Sequence, residues 1–480
     1  MLFNSIEYAF FLPIVFCLYW FVTNKNLSLQ NAFIVGASYF FYGMWDWRFL
    51  SLIVFSTMVD YTIGNLLHHY KNNNIRKALL WVSILVNLGF LGVFKYYNFF
   101  VDSFVDAFSL FGTKPNVSTL KILLPVGISF YTFQTLSYTI DVYRNKLTPT
   151  KNFIAFAAFV SFFPQLVAGP IERATNLLPQ FLKSRKFEHA QAVDGLRQIL
   201  WGLVKKVVVA DNCAHYVNII FNNSADYNGS TLLLGAILFG FQIYCDFSGY
   251  SDIAIGTARL FGFKLMQNFA FPYFSRDIAE FWRRWHISLS TWFRDYLYIP
   301  LGGSRGSNFL KVRNVFIIFL VSGFWHGANW TFIVWGFLNA LYFLPLLLLQ
   351  KNRTNVSTVV AQNNWLPTGK EAIQMIITFS LVSLAWVYFR AENLLHANDI
   401  LAEIGSASLF SIPQVLPRLV LVIVIVFVLI EWFGRRNQYA IESIEQVLKA
   451  RPLRWAFYFL LIFFIQSLAG NQQEFIYFQF

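Results

Sequence analysis

Apolar runs recur along nearly the whole chain, and they restrict it to a small set of folds. They lie near residues 7–23, 30–43, 49–67, 78–98, 122–140, 153–169, 197–221, 231–265, 312–348, 372–389, 417–433 and 453–469. No water bonds a backbone N–H or C=O inside hydrocarbon, so a spanning segment must satisfy its own polar groups, as a helix does. A span takes about 20 residues, so the shorter runs are expected to be re-entrant, and the expected count is about 10–12 spans. Composition points the same way: 13% of the 480 residues are charged and 57% are hydrophobic, against about 25% charged in soluble domains. The predicted fold is an all-α polytopic membrane bundle. The start of the chain lacks a basic n-region and a small-residue cleavage site, so Tyr8–Val22 reads as a first, retained span.

The longest polar interruptions, 351–370, 392–418 and 434–454, read as loops of one membrane domain covering 1–480. No internal repeat is visible. The net charge of +13 is expected in cytoplasmic loops rather than in a nucleic-acid surface, because cations concentrate on the inner side of membrane proteins. Arg144, Lys146 and Lys151 form one basic group, and Arg173, Lys183, Arg185 and Lys186 a second. The densest runs through Arg276, Arg283, Arg284, Arg294, Arg305, Lys311 and Arg313. The stretches 101–121 and 222–230 carry few cations and fit the outer side. The three cysteines, Cys17, Cys213 and Cys245, read as small buried hydrophobes in apolar or helical context. They make neither a disulfide framework nor a CxxC metal pattern.

Two apolar runs are punctuated by Leu124-Pro125-Val126-Gly127 and by Phe163-Pro164-Gln165 with Ala168-Gly169-Pro170. Broken helices at membrane depth persist where protein or a water-filled cavity satisfies the freed backbone. An internal tunnel and simple packing kinks both explain these breaks.

Three segments hold polar groups where burial is costly. The first is Ser322-Gly323-Phe324-Trp325-His326-Gly327-Ala328-Asn329-Trp330. Treated as one helix, it places Ser322, His326 and Asn329 on one face, while Gly323 and Gly327 have the spacing that admits a neighbouring helix. With a helix start near Asn314, His326 would lie roughly 18 Å along it, around the middle of a bilayer core. An imidazole there serves as a general base toward a hydroxyl, or else is held by a helix–helix hydrogen bond.

The second segment runs from Glu280 to Tyr296. As a helix it aligns Arg283, His286 and Ser290, and its arginines, including Arg284, suit an anionic ligand such as the phosphates of a thioester carrier. A snorkelling interfacial helix is the alternative. The third runs from Tyr244 to Asp252. Its carboxylates, Asp246 and Asp252, either orient a His, pair with an Arg, or hold an unwound helix together. No His or Cys cluster of ligand spacing accompanies them, so no metal site is expected.

Two patterns are set aside. Gly302-Gly303-Ser304-Arg305-Gly306 matches G-x-S-x-G, but a nucleophile elbow needs a strand before it. His68-His69 adjoins a Lys/Asn loop and reads as solvated.

Taken together, the chain resembles the membrane-bound O-acyltransferases, in particular the bacterial branch named for the alginate O-acetyltransferase membrane subunit. The resemblance is carried by Met1–Ser5, 124–134, 163–171, Tyr244–Asp252, Glu280–Tyr298 with Ile299-Pro300-Leu301-Gly302-Gly303, Ser322–Gly327 and the closing Phe475–Phe480. It implies a helical domain with a central tunnel and a catalytic core near 122–345. His326 takes the place of the family's catalytic His in its Trp-His-Gly motif, and His286 that of its second His in Arg-Trp-His. Phe324 stands where relatives often have Leu. The implied reaction moves an acetyl group from a cytoplasmic thioester, acetyl-CoA or another acyl thioester, to a hydroxyl of an exported or cell-wall polysaccharide, with no bound cofactor. It also implies residence in the bacterial cytoplasmic membrane and a separate extracytoplasmic partner of the SGNH-hydrolase type. D-alanyl transfer of the teichoic-acid type is the near alternative. A polytopic transporter is the alternative from another class.

Overall fold

The computed structural model describes residues 1–109, 125, 127–167, 169–356, 358–470 and 473–476. Among the described residues every regular element is helical. They form two compact units, Met1–Ala192 with Thr257–Leu265, and Val193–Gly256 with Met266–Phe480.

Six helices among the described residues are long and apolar enough to cross a membrane: Leu27–His69, Asn73–Ser109, Gly229–Leu260, Asn308–His326, Trp330–Leu348 and Gly369–Arg390. Several other expected spans fall short of that measure for identifiable reasons. The 197–221 run contains Lys205, Lys206 and Asp211. Arg418–Gly434 and Arg451–Ser467 are 17 residues each. The 153–169 run is cut after Ser161, where Phe162 leaves helical geometry and Pro164 enters the first turn of the short Phe163–Leu166 helix. Leu27–His69 is 43 residues long, more than one crossing needs, and a tight turn at Trp47–Phe49 interrupts it.

In the first unit, Asp60 is buried yet well supplied with donors. Ser83 Oγ reaches it at 2.5 Å, Asn87 Nδ2 at 2.9 Å and Thr139 Oγ1 at 3.1 Å. A buried carboxylate is tolerable when hydrogen bonds replace its hydration. Gly127 holds φ +76°, with the Leu166 carbonyl against the place a side chain would take, and it opens the Ile128–Tyr143 helix. Of the first punctuated motif, Leu124 and Val126 lie outside the described residues, as do Ala168 of the second and Tyr477–Phe480 of the closing motif. Ser109 ends the Tyr97–Ser109 helix within the stretch read as an outer loop; residues 110–121 lie outside the described residues. His68 and His69 end the Leu50–His69 helix in exposed positions. Cys17 is exposed, unlike the buried Cys213 and Cys245.

The second unit holds residues 229–256 of the Gly229–Leu260 helix, of whose most apolar window 83% is buried. Gly202 and Gly249 face each other so closely that a methyl on either would overlap the other's carbonyl. That approach lays residues 193–203 and the wider π-helical turn Val204–Ala210 against residues 229–256. The wide turn lets two consecutive lysines, Lys205 and Lys206, face the same interior. A second close pair builds the site. Gly323 sits against the backbone of Phe332 and Gly336, and Gly336 against Phe319. Asn308–His326 and Trp330–Leu348 therefore pack as a tight hairpin, as small residues permit.

Candidate active site

His326 is the last residue of the Asn308–His326 helix, not a mid-helix residue. The helix starts at Asn308, capped by Ser307, rather than near Asn314, so His326 stands about 27 Å along it instead of 18 Å. Gly327 turns the chain into extended geometry and Asn329 begins the next helix. Asn329 accepts from the Thr331 N–H at 3.0 Å and donates to the Glu392 carbonyl at 3.0 Å. The expected polar face of Ser322, His326 and Asn329 is thus corrected to Ser322 and His326, because the helix on which all three would align ends between them. His326 is 4% exposed. Aromatic rings surround it, with Trp335 at 5.2 Å and Phe389 at 5.3 Å between ring centroids.

His286 also sits at a break. Asp277 caps the Ile278–Arg284 helix, Trp285 is extended, and His286 adopts φ 43°, ψ 54° before Ile287–Phe293 begins. A non-glycine residue in this left-handed region costs energy and persists only where its surroundings hold it. The segment 268–270 does so: Ile287 N–H donates to the Asn268 carbonyl and Ala270 N–H to the Arg284 carbonyl, both at 2.9 Å. The backbone groups freed by the break are thereby satisfied. His286 is 1% exposed, and burial pushes its pKa down to about 3, since a low-dielectric site disfavours the imidazolium.

The two breaks open onto one cavity of about 560 Å³. It is lined by His286, His326, Ser290, Ser322 and Trp285, together with Trp282, Leu289, Phe293 and Phe319. Three cations also line it, Arg294, Lys311 and Arg353, with Ser304 and Asn352; of these Arg294 pairs with Asp295 at 2.7 Å. Lys311, Val315, Ile318, Ser322 and His326 form one stripe of the helix facing it, so the cavity follows about 22 Å of helix from Lys311 to His326. Trp325 neighbours both imidazoles, with ring centroids 6.0 Å from His286 and 4.8 Å from His326. Among the described residues no group of three His, Cys, Asp or Glu is arranged to hold a metal.

The remaining candidates lie elsewhere. Arg283 does not align with His286 and Ser290, because the helix breaks between them. Its guanidinium donates to the carbonyls of Asn352 at 2.9 Å and Asn355 at 3.2 Å. Arg284 pairs with Glu280 at 2.9 Å, and Arg276 with the same carboxylate at 3.0 Å. The expected anion grip by Arg283 and Arg284 is therefore corrected: the cations on the cavity are Arg294, Lys311 and Arg353.

Asp246 and Asp252 pair with lysines on an unbroken helix, not with a His, an Arg or an unwound turn. Lys206 Nζ lies 2.8 Å from Asp246 and 2.9 Å from Asp211. Lys205 Nζ lies 3.0 Å from Asp252 and 3.3 Å from Glu431. Asp246 also accepts from the Ile476 N–H at 2.7 Å, which ties the end of the chain to the core. Two adjacent lysines inside an apolar run were the available signal for this cluster. Asn268 had no comparable signal. Gly302 and Gly303 take positive φ in a loop between helices, and Ser304 has no strand before it.

Comparison with known proteins adds to this geometry. The model of the membrane-bound O-acyltransferase family matches residues 147–388. A probable alginate O-acetylase of Pseudomonas aeruginosa is 43% identical over 397 residues, covering 82% of this chain and 73% of its own length. The peptidoglycan O-acetyltransferase of Helicobacter pylori is 36% identical over 430 residues, 84% of this chain and 79% of that protein. A teichoic acid D-alanyltransferase of Streptococcus thermophilus is 29% identical over 311 residues, 61% of this chain and 75% of that protein.

Proposed function

The chain belongs to the membrane-bound O-acyltransferase family and is a multi-pass membrane acyltransferase; from that premise we propose that it moves acetyl from a cytoplasmic thioester to a hydroxyl, for O-acetylation of an exported or cell-wall polysaccharide. The observation that carries this reading is one cavity lined by two buried imidazoles and three cations, in which Lys311 stands about 22 Å of helix away from His326. A phosphate-bearing thioester such as acetyl-CoA suits that lining: its anionic head pairs with Lys311 and Arg353, and its acyl end reaches toward His326.

His326 acts as the general base. The hydroxyl oxygen attacks the thioester carbonyl carbon as the His326 imidazole takes the hydroxyl proton. The new C–O bond forms, the C–S bond breaks, and the departing thiolate takes the proton back from the imidazolium. His286, Ser290 and Ser322 bind substrate in the same chamber. The whole chain, 1–480, acts as one membrane domain with its catalytic core near 122–345. It resides in the bacterial cytoplasmic membrane with the cationic mouth inward, and an extracytoplasmic SGNH-hydrolase-type partner passes acetyl to the glycan. Acetyl is favoured over D-alanyl because the O-acetylating relatives match more of the chain at higher identity.

The test is ester-linked acetate released from the cell surface by mild base, in cells with wild-type protein, His326→Ala or His286→Ala at matched membrane abundance. Loss of acetate in His326→Ala is expected. Full acetate in that variant would refute the base assignment, and D-alanine ester in place of acetate would refute the acyl group.

A further inference from the structure

Against His286, and not among the residues that line the large cavity, lies Asn268, which is fully buried. Its side-chain oxygen meets three groups. His286 Nδ1 lies 3.1 Å from Asn268 Oδ1, Ser288 Oγ lies 2.8 Å from the same oxygen, and the Ser288 backbone N–H points to it at 3.3 Å. On its other side Asn268 Nδ2 donates to Ser251 Oγ at 3.1 Å.

The orientation of an amide is ordinarily ambiguous, because its O and N look alike. Here a backbone group resolves it. The Ser288 N–H can only donate, so the amide atom facing it is the oxygen. An oxygen can only accept, so His286 Nδ1 facing that oxygen carries a hydrogen. The buried imidazole is neutral, so its single N–H is at Nδ1 and its Nε2 bears the lone pair. The Asn268 main-chain carbonyl, bonded to Ile287 N–H, also supports the left-handed turn that aims the ring.

We propose that Asn268 is a positioning residue of the active site: it fixes His286 as the Nδ1–H tautomer and so makes His286 a hydrogen-bond acceptor for an O–H or N–H of bound substrate. A neutral imidazole in this tautomer cannot donate from Nε2 to a thioester oxyanion, so that role falls to another group. The catalytic consequence rests on the acyl-transfer reading above; the tautomer does not.

The experiment uses the full-length protein in detergent, without donor. Diethyl pyrocarbonate attacks a neutral ring nitrogen, and mass spectrometry reads its addition to His286 as a function of pH. Asn268→Asp keeps an acceptor and adds a negative charge beside Nδ1–H, so the midpoint of His286 labelling is expected to rise by about 1 pH unit or more. Asn268→Leu removes the acceptor. Its kcat for acetyl transfer is expected to fall about 10–100-fold, as when the partner orienting a ligating His is lost, with KM within about twofold. Asn268→Asp should retain more of kcat than Asn268→Leu.

An unshifted labelling midpoint in Asn268→Asp would overturn the proposal, as would unchanged kcat in Asn268→Leu. If the leucine variant fails to reach the membrane, the labelling of Asn268→Asp decides alone. Wild-type protein that labels as expected but transfers no acetyl would refute the acyl-transfer reading and leave the tautomer standing.

Discussion

Lys205→Met should be among the most damaging single substitutions in the second unit. The Lys205 ammonium is buried, 3.0 Å from Asp252 and 3.3 Å from Glu431, and it lies over the Tyr244 ring at 5.3 Å. At an effective dielectric of 20, each ion pair is worth roughly 5 kcal/mol of attraction, and the cost of burying the charges offsets much of it. Methionine matches the stem but leaves two carboxylates facing each other. Breaking a buried pair in this way costs about 3–5 kcal/mol. The escape route is uptake of a proton by one carboxylate, which removes the repulsion between the two. That route gives the loss a direction with pH. Protonation becomes easier in acid, so the deficit should shrink by about 1.4 kcal/mol for each unit the pH is lowered from 7. Thermal unfolding of purified protein in detergent, followed by tryptophan fluorescence at pH 7.5 and 5.5, measures this. Lys205→Met combined with Asp252→Asn and Glu431→Gln removes the charges together and should recover most of the stability. A single variant within about 1 kcal/mol of wild type, or a deficit equal at both pH values, would refute the reasoning.

His286 supplies a second pH effect of opposite sense. Its folded pKa of about 3 lies below the unfolded value near 6.5, so the unfolded chain binds more protons between those limits. Stability should therefore fall by about 1.4 kcal/mol per unit of acidification across that window. His286→Gln should lose that part of the slope, and equal slopes in unfolding curves at pH 6.5 and 5.5 would contradict it. At the cavity mouth, Lys311→Ala and Arg353→Ala should each raise KM for acetyl-CoA about fivefold at low salt while leaving kcat near wild type, because rim charges contribute about 1 kcal/mol and are screened by ions. A KM independent of both substitution and salt would show that the anionic head binds elsewhere.

The helical class and the two imidazoles were legible locally. An apolar run near span length has few other ways to satisfy its backbone, and a histidine inside such a run is conspicuous by its cost. Gly323 was legible for a similar reason, since small-residue spacing signals close approach whatever the partner. The failures cluster at breaks and at partners. Periodicity alone sets His286 and Asn329 within continuous helices, because a period of 3.6 residues extends over any compatible sequence. Both helices stop: one where 268–270 captures the backbone beside His286, the other where Gly327 extends and Asn329 caps its successor. Arg283 and Arg284 looked like anion ligands from their company, yet carbonyls and Glu280 occupy them. By itself the sequence determined which segments must be helical and which side chains are costly to bury. Only the tertiary structure decided who meets them: Lys205 with Asp252 and Glu431, Asn268 with His286, and Arg294, Lys311 and Arg353 around one cavity. The physical reason is range. Backbone satisfaction and apolar periodicity act over one or two turns, whereas a buried charge or imidazole is paired by whichever distant segment the packing brings within about 3 Å.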